Sequence, residues 1–225
     1  MLLIPVWVSA QNRQIVEAAS GEDLTKIVSA QFQFLFPEFT DGDVFFAGSP
    51  KGSGKLNYNM LLGEMQFMEK DRVLALANVK DVTVVNIDNR KFYPFSGGKE
   101  FTEEIMTADK VKLHVRRKGN ATQHSKKGAY GTSSSTSSIT SYSSLYSDNQ
   151  QYNLAVVENT LITLNNFYYL VGSNNKYVLI KNSKAFTKLF PAYRAQIDAF
   201  VKEHKTRFNN EADLKALLDY CSKLN

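Results

Sequence analysis

KLNYNMLLGEMQFMEKDRVLALANVKDVTVVNIDNRKFYPF, residues Lys55 to Phe95, decides the fold class. Short runs rich in aromatic and β-branched residues are broken every few positions by polar turn formers, the pattern of an antiparallel meander. Tyr58, Met60 and Leu62 share one parity, whereas Met65 and Phe67 take the other. The chain must therefore turn or bulge at Leu62-Gly63-Glu64, where Gly63 makes the bend cheap. Strands are expected over 55–61, 64–69, 72–77 and 81–87, with Asp88-Asn89 turning the chain into Lys91 to Phe95. The continuous VLALA and VTVV runs predict burial on both sides.

Downstream, Phe101, Glu103 and Ile105 alternate with Thr102, Glu104 and Met106 as a half-buried strand. Glu103 and Glu104 point to opposite faces of it and cannot pair as acid and base. Lys110 to Lys118 alternates cleanly, with Val111, Leu113 and Val115 inward and Lys110, Lys112, His114 and Arg116 outward. Alternate side chains lie about 6.5 to 7 Å apart, close to phosphate or sulfate spacing on a polyanion. Arg117, Lys118, Lys126 and Lys127 extend this patch, which a lipid headgroup or acidic polysaccharide would suit. A solvated strand face whose lysines prevent edge pairing explains the same residues without a ligand.

Residues 129–151, dominated by serine with scattered tyrosine, bury too little to order themselves and are expected to form a loop whose tyrosines are able to stack on sugar rings. Strand character returns in NLAVVEN and TLITL, and FYYLV-GSNN-KYVLI reads as a hairpin around Gly172 to Asn175. Tyr168, Tyr169 and Tyr177 are expected to cluster across it. Ser183 opens a short helix to Phe190, and Pro191 precedes a second one with Tyr193, Ile197, Val201 and His204 on one stripe. A last helix starts after Asn210, its stripe being Leu214, Leu217, Leu218, Cys221 and Leu224. That placement makes Cys221 a buried, inert thiol.

Upstream, one short helix is predicted near Glu22 to Gln31, and a first strand at Asp43 to Ala47. GSPKGSGK, Gly48 to Lys55, imitates a phosphate loop but fails it: the glycine spacing is one residue too long, Leu56 stands where a Ser or Thr would hold magnesium, and a strand pattern follows. It reads as a hairpin loop, and no nucleotide is implied. MLLIPVWVSA, residues 1–10, ends in Val8-Ser9-Ala10 like an export signal, although no lysine or arginine precedes its apolar run. It is too short to span a bilayer.

The chain has 225 residues, 43% hydrophobic and 22% charged, which is ample for a globular core. A formal charge of +5 spread over such a surface names no partner. One cysteine excludes an internal disulfide, and His114, His124 and His204 lie too far apart in sequence for a metal motif. No cofactor is implied.

The order FPEFTDGDVFF, KLNYNMLLGEMQFM, VLALANVKDVTVVNIDNRKFYP, followed by a basic strand and C-terminal helices, resembles a family of uncharacterised exported proteins of Gram-negative bacteria. The resemblance covers Phe36 to the end and is most specific in the LNYN…EMQF block and the following ALAN. It implies the periplasm or cell envelope, and it supplies no activity and no catalytic residues.

The expectation is therefore an α+β fold: residues 11–182 as an antiparallel sheet of about eight to ten short strands, with helices from 183–225 packed on it. The expected function is that of a non-enzymatic envelope module for binding or assembly. Its partner would be an envelope glycan, an anionic lipid headgroup or another envelope protein, met through Lys110, Lys112, His114, Arg116, Arg117 and Lys118. Two rivals stand beside it. One is an enzyme built on carboxylates after Glu64, Asp88 and Glu104; the other is a polyanion binder, nucleic acid included, that uses residues 110–127.

Overall fold

A computed structural model of the chain describes residues 13–16, 23–123 and 160–224. The export-signal segment, the serine-rich stretch, Lys126, Lys127 and the NLAVVEN strand lie outside the described residues. Two antiparallel meanders are joined side by side. The first comprises β2 (Thr40–Phe46), β3 (Ser49–Asn59), β4 (Glu64–Glu69) and β5 (Arg72–Ala75). The second comprises β6 (Val82–Ile87), β7 (Arg90–Pro94), β8 (Phe101–Ala108), β9 (Val111–Gln123) and β10 (Thr160–Val171), and β6 pairs with β2. The far edge of β10 is shared by β1 (Arg13–Val16) at one end and β11 (Tyr177–Leu179) at the other, which completes an 11-stranded sheet among the described residues.

After the sheet come α3 (Lys184–Leu189), α4 (Arg194–Glu203) and α5 (Glu211–Ser222), so the α+β expectation holds. These helices cover one face of β8 to β10, where Leu113, Val115, Tyr168 and Leu170 meet Phe186, Ile197, Leu214, Leu217, Leu218 and Cys221. We call this face inner. Each leucine buried there contributes about 1.5 to 3 kcal/mol. Asn210 caps α5 by accepting from the Asp213 N–H at 3.0 Å. Burial pushes the Cys221 thiol up to about 12, which leaves it without thiolate character.

The first meander curls over the rest of the inner face. Tyr58 is fully buried, and its hydroxyl donates to the carbonyls of Phe101 and Arg117, each at 3.1 Å, tying β3 to β8 and β9. Gly63, at φ +75, turns the β3–β4 hairpin so that its carbonyl accepts from the Phe101 N–H at 2.8 Å. Gly119 lets β9 approach the same hairpin, because a Cβ there would stand 2.9 Å from the Leu61 carbonyl oxygen. Tyr58→Phe keeps the ring packing and removes the one hydroxyl proton that the two carbonyls share. Urea unfolding should register a loss of about 1 kcal/mol, and an unchanged midpoint would show that this bridge contributes nothing.

The structure corrects five local expectations. Ser49 to Lys55 is no hairpin loop but the first half of β3, paired with β2. Neither VLALA nor VTVV is buried on both sides: β5 is an edge strand, with Val73 45% exposed, and Thr83 of β6 is exposed. The single helix near Glu22–Gln31 is two turns, α1 (Leu24–Ile27) and α2 (Ala30–Gln33), separated where Ser29 takes an extended ψ of 143°. TLITL and FYYLV are one strand, β10. Lys110 sits in the β8–β9 turn, ahead of the strand expected to contain it.

Candidate functional site

Strand β9 carries the candidate residues, and its alternation sorts them. Leu113 and Val115 face inward as expected, with Arg117 on their side. Lys112, His114, Arg116 and Lys118 take the outer face, opposite Val171, Tyr169, Phe167 and Asn165 of β10. Arg117 is thereby removed from the expected patch. Glu103 and Glu104 do occupy opposite faces, and a bulge at Ile105 then shifts the β8–β9 register.

Pairing with carboxylates changes the character of the basic strand. Lys112 meets Glu104 at 2.8 Å, while Glu100 takes Arg116 at 2.6 Å and Lys118 at 2.8 Å. On the inner face Glu103, 4% exposed, lies between Arg90 and Arg117. Burial pushes the Glu103 carboxyl up, but the Arg90 hydrogen bonds and the Arg117 charge outweigh it and hold the group below the usual carboxylate range. Glu104 is likewise held low, burial again being outweighed by its bonds to Lys112 and Thr107. Lys110 stays exposed in its turn. The expected row of free cations is an ion-pair ladder.

His114 was expected outward and solvated; it is outward but only 2% exposed. Tyr93 of β7 and Tyr177 of β11 cover it, with ring centroids at 5.2 and 5.6 Å. Its Nδ1 shares a hydrogen bond with the Thr102 hydroxyl at 3.0 Å, and that hydroxyl reaches the Tyr177 hydroxyl at 3.2 Å. Nε2 is buried with no partner among the described residues. Burial, with Lys112 adding to it against Glu104, pulls the imidazole down to about 4, so it is neutral at physiological pH.

Around this point the outer face is aromatic. The Arg116 guanidinium lies over Phe95 at 4.7 Å, Phe167 at 5.0 Å and Tyr169 at 6.0 Å. Phe95 also packs on Tyr169 and Tyr177 at 5.1 and 5.0 Å. Tyr169 and Tyr177 meet as expected, at 5.9 Å, whereas Tyr168 belongs to the inner core. Phe95 and Phe167 were not anticipated. Their odd parity with Tyr93 and Tyr169 was the available signal.

Of the carboxylates considered for an enzyme, Glu64 lines a cavity. It opens into a pocket of about 350 Å³ between α1–α2 and the outer side of β4 and β5. Asp88 is in a turn at φ +51 and Glu104 is committed to Lys112, so the three do not converge. No helix of the described residues is long and apolar enough to cross a membrane. No family model, curated protein or solved structure matches the chain, so its function rests on the chemistry of this face and this pocket.

Proposed function

We propose that the protein is a non-enzymatic binding module of the bacterial envelope and that its outer sheet face receives a glycan. The observation that carries this reading is Arg116, held over Phe95, Phe167 and Tyr169 and fixed by Glu100. Aromatic rings offer apolar faces to a pyranose, and adjacent guanidinium, carboxylate and phenol groups offer hydrogen bonds to its hydroxyls. The envelope is supported by the signal-like residues 1–10 and by the sequence resemblance. Charge pairing disfavours a polyanion partner, because three outer cations already share two carboxylates. His114, neutral and covered, supports a structural role over a catalytic one.

Calorimetric titration with envelope-derived oligosaccharides should give saturable binding. Phe95→Ala or Phe167→Ala is expected to weaken it by about tenfold, equivalent to roughly 1.4 kcal/mol, while Lys110→Ala leaves it unchanged. Between 50 and 200 mM salt the affinity should move by less than about tenfold, whereas a binder of six to ten phosphates loses about 10³ to 10⁵. A steep salt dependence, or preference for anionic vesicles over glycan, would overturn the reading.

A further inference from the structure

The pocket beside Glu64 lies apart from the aromatic face. Thr25 of α1 and Gln33 of α2 close it from above, and Glu64 and Gln66 of β4 form its polar floor. Phe34, Leu62, Val73 and Ala75 complete the walls. Glu64 is the one ionisable side chain among these lining residues. Gln66 is oriented by Asn59, whose amide donates to its Oε1 at 3.2 Å, so the second lone pair of that oxygen remains for another donor.

From this lining we infer that the pocket is a binding site for a small organic cation, an alkyl primary ammonium. Its head would sit between the Glu64 carboxylate and the Gln33 and Gln66 carbonyls, and its chain would lie along Leu62 and Val73. An ammonium has three N–H donors and no acceptor, which suits a lining of one carboxylate and neutral carbonyl oxygens. A cavity of about 350 Å³ admits a chain of several carbons. Non-specific attraction would not imitate this binding, since the whole chain carries a formal +5.

Burial pushes the Glu64 carboxyl up to about 7, with Lys99 pulling it down and Glu100 pushing it further up. An incoming cation would therefore displace a proton. The test titrates the full chain with n-pentylamine, with pentan-1-ol as the neutral match, in buffers of different ionisation enthalpy at pH 6 and 8. Amine binding should strengthen about tenfold from pH 6 to 8 as the ionised fraction of Glu64 rises. It should release nearly one proton at pH 6, and the alcohol should not bind. Glu64→Gln should abolish the pH dependence and weaken the amine at least tenfold. Val73→Phe, which fills the pocket from an exposed position, should exclude the amine with Glu64 intact. Equal affinity for amine and alcohol, a pH-independent affinity, or full binding by both variants would overturn the inference. Glycan binding at Phe95 is expected to survive Glu64→Gln, so the two sites fail separately.

Discussion

Replacing Glu103 with alanine should destabilise the protein by about 3 to 5 kcal/mol, the cost of leaving buried charge without its counter-ion. The Glu103 side chain is 5% exposed, and those of its two partners are 34% and 11% exposed for Arg90 and Arg117. Arg90 grips it with Nε and with Nη2 at 2.8 Å, and also lies over the Phe36 ring at 5.3 Å. Arg117 comes from β9, and its carbonyl is one of the two that accept the Tyr58 hydroxyl. The triad thus sits where the curled first meander meets the second. Without the carboxylate, Arg117 must either stay charged and unpaired in the interior or swing out and loosen the Tyr58 bridge. Glu103→Gln should lose less, because the amide oxygen still accepts one guanidinium bond. Adding Arg117→Met to Glu103→Ala should restore part of the loss, since an apolar side chain of similar length replaces the stranded charge. Guanidinium chloride unfolding of the four proteins decides it. A Glu103→Ala loss below about 1 kcal/mol would place the triad with surface ion pairs of little net value.

The sheet was legible because its alternation is strong where one face is buried. Val111, Leu113 and Val115 are inward, and the opposition of Glu103 and Glu104 is real. Leu214, Leu217, Leu218 and Cys221 are all fully buried, as the apolar stripe required. What parity does not tell is what covers a face. His114 is hidden by rings from β7 and from β11, the latter more than sixty residues away in sequence, and no local pattern records that contact. The ion pairs were partly readable. A hairpin turning at Asp109-Lys110 sets the acids at 100, 103 and 104 across from the bases at 112 and 116–118. The bulge at Ile105 makes their exact partners depend on backbone geometry that the residues alone do not specify. The VLALA run misled for a related reason: apolar content marks a strand but does not separate a central one from an edge one.

Two buried groups should give the protein an unusual stability profile between pH 4 and pH 7. His114 falls from 6.5 to about 4 in the folded state, so the unfolded chain binds the proton first as pH drops. Its contribution is complete above pH 6.5 and is lost as pH falls toward 4. At about 1.36 kcal/mol per pKa unit this amounts to about 3 kcal/mol. Glu64 moves the other way, from 4.5 up to about 7, so the folded chain holds the proton more tightly. Its contribution is complete below pH 4.5 and is lost as pH rises through 7, a change of about 1 to 3 kcal/mol once the opening of its pocket to solvent is allowed for. Between pH 4.5 and 6.5 the two slopes oppose each other, and the native protein should be nearly flat. Glu64→Gln removes one slope and should expose the other, so that stability rises by about 3 kcal/mol from pH 4 to 6.5. His114→Gln should do the reverse, with stability declining from pH 4.5 to 7. Glu103 and Glu104, both held below 4.5 by their cations, add an acid loss that sets in as pH falls through 4.5, at the lower end of this window, and is common to all three proteins. Urea midpoints at half-unit pH intervals measure the slopes. If the Glu64→Gln profile runs parallel to that of the native chain, the carboxyl is not protonated in the fold, and the proton displacement expected on amine binding goes with it.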